Sequence, residues 1–365
     1  MVSSTVVRSY GGSSVRGEEF VDPATNPTVL QQKDYGELKR RIVAAGLLKK
    51  QPRYYVLNSI IRLTLLGTSI TLLFIFNTLW MQLLNAAFLA FAFTQIGYLG
   101  HDAGHRQIFN GAHRNGVFGL VINFLMGASR TWWVDTHNEH HVDPNNLGRD
   151  PHTALPVFAF SEEQAAGKEG VLGRIVGYQS WYFFPVLLLE GVGLRLAGVQ
   201  YLWSNKEVKG RGWELGLMAL HFAIYFSLLF FLLNWWHAVL FVIVHQSLMG
   251  LYMGSVFAPN HKGMPTVTRE DGLSFLQQQI ITARNLPANQ ITDFWYGGLN
   301  YQIEHHLFPS MPRCNLRKAK PIVRTFCEEY SIPYAESGVF SSIAEILRFL
   351  HEVSASAREK VPQSV

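Results

Sequence analysis

The chain has 365 residues, 48% hydrophobic and 13% aromatic, with 16% charged and a formal net charge of +5. That is too apolar for an ordinary soluble protein and fits a membrane protein with substantial polar parts, in which the Lys and Arg excess marks the inside face. No basic patch interleaved with aromatics suggests a nucleic-acid partner, and the two cysteines, Cys314 and Cys327, form neither a metal spacing nor a disulfide framework, which puts that region on a reducing side.

Residues 1–34, rich in Ser, Gly, Val, Thr and Pro, read as a mobile tail with no cleavable signal peptide. A surface segment, 35–56, follows. Within it Leu38, Ile42, Ala45 and Leu48 recur at helical spacing among basic residues, with Asp34 as the N-cap. Two readings stay open: an amphipathic helix lying on a membrane, or an ordinary surface helix.

The main unit, 57–330, contains four stretches long and apolar enough to span a bilayer: 60–80, 83–99, 215–233 and 238–257. The turns between partners, "MQ" and "NWWHA", are short and carry no Lys or Arg, so each pair is a helical hairpin with its turn outside. The basic flanks around Lys39–Arg53, Lys206–Arg211 and Arg269 belong in the cytosol. Two further stretches are ambiguous: 117–128 is too short to span, and 178–198 carries Gln179, Glu190 and Arg195, which are costly in lipid. Both read as interfacial or re-entrant. Residues 258–365 form a cytosolic region whose last part, 331–365, is a helical tail. The fold expected is an all-α integral membrane protein: four transmembrane helices in two hairpins under a cytosolic helical cap.

Seven of the 14 histidines sit in three clusters: "HDAGH" (His101, His105), "HNEHH" (His137, His140, His141) and "QIEHH" (His305, His306). Residues three or four apart share a helix face, so each cluster presents two or three side chains together, and Gln302 aligns with His305 and His306. Seven imidazoles exceed the four ligands of one tetrahedral zinc, and two metals are the economical reading. An all-nitrogen, neutral donor set leaves the metals' charge uncompensated and favours an oxidant over a hydrolytic site. Asp102, Glu139 and Glu304 interleave the clusters, either orienting imidazoles or keeping the turns solvated. His261, where the fourth span exits, is placed to join the ligands, with Asn260 beside it as another candidate. His221, His237 and His245 read as lone histidines bonding neighbouring helices. His113 and His152 lie near the clusters but unpaired.

HxxxH, HxxHH and QxxHH around two hairpins resemble the membrane fatty acid desaturases, and "DFWYGGLNYQIEHHLFPSMPR" (293–313) resembles their front-end branch. The likeness runs from about residue 35 to about residue 330 and includes the Asn-His of "APNHKG". It implies a mushroom-like four-span fold with two non-haem iron ions on the cytosolic face. Their ligands would be His101, His105, His137, His140, His141, His261, His305 and His306, while Gln302 stands where other branches have His. Such enzymes use O2 and two electrons to remove two hydrogens from the chain of an acyl lipid or acyl-CoA. Front-end members, Δ6 enzymes among them, place a cis double bond between the carboxyl end and an existing one.

The fused cytochrome domain of many relatives carries His-Pro-Gly-Gly, which does not occur in this sequence. An external donor, a ferredoxin or flavin reductase, is therefore expected, and the form looks like bacterial, particularly actinobacterial, members set in the inner or plasma membrane. Arg313, Arg317, Lys318 and Lys320 are candidates for its docking patch, and Trp132, Trp133, Phe183 and Trp295 for walls of an apolar substrate channel. A lipid or sphingolipid hydroxylase of the same fold remains an alternative. A metal transporter or sensor is a remote one, because transport would place ligands at mid-membrane depth.

Overall fold

The computed structural model describes residues 32–359. The tail expected over 1–34 lies outside them except for residues 32–34, which already belong to the first helix. That helix, α1 (Gln32–Ala44), is followed by α2 (Pro52–Ile75), α3 (Leu79–Gly104), α4 (Ala112–Met126) and α5 (Arg130–Val142). Next come α6 (Glu162–Ala166), α7 (Gly170–Gly177), α8 (Gln179–Leu187) and α9 (Glu190–Ser204), then the long α10 (Arg211–Leu232) and α11 (Trp235–His261). The chain closes with α12 (Phe275–Ile281), α13 (Gln290–Trp295), α14 (Gln302–Leu307), α15 (Arg313–Glu329), α16 (Val339–Val353) and α17 (Ala355–Glu359).

Four helices, α2, α3, α10 and α11, are long and apolar enough to cross a membrane. In their most apolar 18-residue windows only 17% of α2 and α10 is buried, against 67% of α3 and 39% of α11. The first two therefore offer their side chains to lipid, while α3 and α11 pack at the centre.

Both hairpin turns differ from the expected positions. The first falls at 76–78, not at "MQ". Gln82 is buried inside α3, and its amide donates to Leu73 O (3.2 Å) and Phe76 O (2.7 Å), satisfying the open end of α2. In the second, the Asn234 side chain accepts from His237 N (3.3 Å), so Trp235, Trp236 and His237 are the first turn of α11, not loop. At their other ends α3 and α11 run past the apolar stretch, to Gly104 and His261, and so carry histidines out of the bilayer on rigid helix.

The two ambiguous stretches fold as sharply bent pairs, α4 with α5 at 110° and α8 with α9 at 77°. Gly127, at φ 65°, ends α4, and the Ser129 hydroxyl caps α5. Arg195 is turned inward: it bonds Gly191 O, Gln246 Oε1 (2.7 Å) and Met126 O (2.8 Å), tying α4, α9 and α11 together. That arrangement keeps its charge from lipid.

α1 turns its apolar face to the protein, not to a membrane. Leu38 and Ile42 are fully buried among Ile303, Leu307, Val323 and Phe326, and Tyr35 donates to Leu307 O (2.9 Å). Asp34 lies in the first turn of α1 instead of at its N-cap. At the far end of the chain, α16 buries Ile346 and Leu350 against Phe158, Phe160 and Phe183.

Candidate metal centre

Four elements bring histidines together. α3 carries His101, and His105 caps its C-terminal end. α5 carries His137, His140 and His141, α11 ends on His261, and the six-residue α14 supplies His305 and His306. A helix as short as α14 needs outside support. Asn285 accepts from Ile303 N (3.0 Å) and donates to Glu304 (2.8 Å), which also accepts from Tyr334 (2.7 Å). Before α14, Gly297 and Gly298 adopt φ of 60° and 83°, and a Cβ on Gly297 would come within 2.5 Å of the Tyr98 ring. Only glycine permits both the backbone angle and the close approach.

The eight expected histidines converge, each 8% exposed or less. His101, His105, His137 and His305 each bring one ring nitrogen within 4.8 Å of the others, and so, as a second group, do His140, His261 and His306. His141 stands between the groups, its Nε2 3.1 Å from that of His137 and its ring stacked on His306 at 4.2 Å. Gln302 reaches the second group, with Nε2 2.9 Å from His261 Nε2. Asn260 donates to Gln302 Oε1 (3.1 Å), so it braces Gln302 and bonds no imidazole.

Several ring nitrogens are already committed on their outer side. Asp102 faces His101 Nδ1 (3.2 Å), Asp150 faces His140 Nδ1 (2.8 Å), Thr282 O faces His261 Nδ1 (3.0 Å) and Gln279 Oε1 faces His306 Nδ1 (2.9 Å). The inner nitrogens contrast with these. His101, His105 and His306 Nε2, and both nitrogens of His305, are buried without a hydrogen-bond partner among the described residues. Burial, reinforced by neighbouring imidazoles, holds His105, His305 and His306 well below the usual histidine pKa, hence neutral with lone pairs free. Orphaned lone pairs that face one another, backed by outer acceptors, are the pattern of metal ligands. The residues present fit two metal ions.

Of the interleaved carboxylates, only Asp102 touches an imidazole, and it also pairs with buried Arg313 (2.5 Å). Glu139 faces solvent, one helix position away from the inward face of α5. Glu304 is fully buried but braces α14, as described above. The role expected of Glu139 falls to Asp150, whose sequence signal was its place before Pro151 as a helix cap. Gln279 gave no signal. Arg313, expected on a docking patch, is buried; Arg317 and Lys318 remain at the surface and Lys320 pairs with Glu336 (2.7 Å).

His113 is exposed and His152 lies beside His140. His245 bonds Tyr225 of α10 (2.8 Å), as a lone histidine joining neighbouring helices does, while His221 stacks on the same tyrosine within its own helix. A small apolar cavity of about 60 Å³ is lined by His101, Gly97, Gly100, Met126, Trp133 and Met249, with Trp132 also in its wall. Phe183 and Trp295 do not line it: the first packs on Phe158, the second on Tyr252.

The family model described as "Fatty acid desaturase" matches residues 46–338. The chain is 30% identical over 349 residues to the "Acyl-lipid (9-3)-desaturase" of Physcomitrium patens, an alignment covering 92% of this chain and 65% of that one. It is 31% identical to the "Delta(8)-fatty-acid desaturase" of Helianthus annuus, covering 90% and 74%. Identity to the Delta(6)-fatty-acid desaturase of Caenorhabditis elegans is also 31%, covering 92% and 79%. The chain thus spans 65–79% of the length of these relatives.

Proposed function

Since the chain belongs to the fatty acid desaturase family, we propose that it is a front-end, Δ6-like desaturase, an oxidoreductase that introduces a cis double bond into an acyl lipid or acyl-CoA. The observation that carries this reading is two groups of buried, mutually facing imidazoles, with His101 also lining a small apolar cavity. Relatives whose names count the double bond as Delta(6), Delta(8) and Delta(5) support the front-end assignment.

His101, His105, His137 and His305 would hold one iron and His140, His261 and His306 the other, with His141 between the two groups and Gln302 at the edge of the second. Bound there, two iron ions supply the reduction of O2 and the removal of hydrogen from an unactivated methylene. The protein's part is position and exclusion of water. Gly97 and Gly100 leave room where a side chain would fill the cavity. Met126, Trp133 and Met249 give the alkyl chain an apolar bed, so that a methylene rests beside His101. Neutral imidazoles leave the ions' charge in force at that point. Two electrons arrive from a redox protein of the ferredoxin or flavin-reductase type, which meets the exposed Arg317 and Lys318. The centre lies on the same side as the basic flanks of the four apolar helices, which supports a cytosolic site.

The test is gas chromatography–mass spectrometry of host lipids after co-expression with a ferredoxin and its reductase. The host is fed saturated, mono- and diunsaturated acids, with His305→Ala as control. A new double bond on the carboxyl side of an existing one, absent in the control, is the expected product. A hydroxylated chain would move the enzyme to hydroxylation, and no product from iron-loaded protein across these substrates would overturn the reading.

A further inference from the structure

Every histidine of the cage is closed off from solvent, which raises the question of how a metal ion enters. One imidazole bridges the gap. The His152 side chain is 48% exposed, and its ring centre lies 4.6 Å from that of His140. Asp150 sits beneath both, with Oδ2 2.8 Å from His140 Nδ1 and Oδ1 3.9 Å from His152 Nδ1. The carboxylate is itself 1% exposed and fixed by the backbone amides of Asn145 and His152, each at 2.9 Å. One ligand atom from each of His140, Asp150 and His152 lies within 4.8 Å of the others, the same closeness as in the two inner groups.

His140 belongs to both sides. Its Nε2 is 3.3 Å from His261 Nε2 inside the cage, while its Nδ1 faces Asp150 at the edge. Lys262 flanks this edge: its Nζ donates to His152 O (3.0 Å) and lies 3.9 Å over the Phe160 ring, and the buried Asp150 carboxylate faces its charge.

We propose that Asp150 and His152 form a loading site through which a ferrous ion enters the cage by way of His140. The inference rests on the reading of the cage as a two-iron centre. A carboxylate and an imidazole at a half-open edge suit an aquated divalent ion, because they replace some of its waters and leave positions for the rest. Hand-over is ligand exchange alone. Water leaves the ion and the lone pairs of the Asp150 carboxylate and the neutral imidazoles take its place; the one N–H proton of His140 shifts from Nδ1 to Nε2 while the ion sits at Nδ1 and returns as the ion moves inward, so no net proton is released and no electron moves. The shared ring of His140 makes the path short: an ion at Nδ1 is one ring-width from the inner group at Nε2. His152 is thus a transit ligand and not a resident one.

The test uses the full chain in detergent, stripped with a chelator and kept anaerobic, with ferrous ion alone as the probe. Uptake is timed by competition with a chromogenic chelator and the endpoint counted by elemental analysis. Wild type should take up two ions. His152→Ala should reach the same endpoint about tenfold more slowly, the low end of what removing a partner of a metal ligand costs. His152→Asp, which restores a ligand, should recover most of the rate. An unchanged rate in His152→Ala overturns the proposal, and so does an endpoint that falls by one ion, which would make His152 a resident ligand. Wild-type protein that takes up no metal at all would overturn the two-iron reading beneath it.

Discussion

The two halves of the cage are held in different ways. In the group of His140, His261 and His306, every ring is anchored at Nδ1, by Asp150, by Thr282 O and by Gln279, at 2.8–3.0 Å. In the group of His101, His105, His137 and His305, only His101 has such an anchor among the described residues, and Asp102 is the longer contact at 3.2 Å. The other rings are kept by packing: Trp133 stacks on His137 at 4.4 Å, and His305 meets His101 and His105 at 4.7 and 4.8 Å. Polar anchors fix both tautomer and direction before any ion arrives, while packing fixes direction only. The second half is therefore the preorganised one, and the first depends more on its ion.

The strongest way to break this comparison is His305→Ala. Neither of its ring nitrogens has another partner among the described residues, so the account predicts loss of the first iron and of all measurable desaturation, with helical circular dichroism unchanged. Iron retained at two per chain would contradict it. Next in size is Arg313→Met, which strands Asp102 without its guanidinium at a site where both side chains are nearly inaccessible, 4% and 2%. Breaking a buried pair costs about 3–5 kcal/mol, and a thermal-unfolding series should show the fall. A loss that Asp102→Asn in the same chain restores would trace it to the bare charge.

Smaller effects should follow from loosening the second half. Asp150→Asn and Gln279→Leu should each weaken iron binding by about 10–100-fold, read by chelator competition, while Asp102→Asn should cost less. The reverse order would dissolve the asymmetry. The smallest effect is expected outside the cage, from Arg317→Glu with Lys318→Glu. Iron content should stay at two, and the KM for the electron donor should rise and lose its dependence on salt. Unchanged reduction kinetics would remove the docking role from that surface.

Much of the cage was legible because its chemistry needs rare residues at fixed spacing. HxxxH and HxxHH put side chains on one helix face whatever surrounds them, and all eight histidines do converge. The four apolar helices were legible for a similar reason, since a span is mostly a matter of length and hydropathy. What escaped was decided by partners far along the chain. Gln82 looked like a turn residue until its amide met the end of α2, and Arg313 looked like surface until Asp102 and Tyr98 O enclosed it. Glu139 and Asp150 show the same limit within one segment. A carboxylate two residues from a histidine lies on another helix face, while one ten residues away folds back onto His140. α1 was legible as amphipathic, but its pattern could not say that α14 and α15, and not lipid, would cover the apolar face.

The most direct single test is the Mössbauer spectrum of the full chain purified from cells grown on iron-57, with iron counted per chain. Two ions in unlike nitrogen-rich surroundings predict two iron per chain and two quadrupole doublets of equal area. One iron, a single site, or zinc in place of iron would contradict the account.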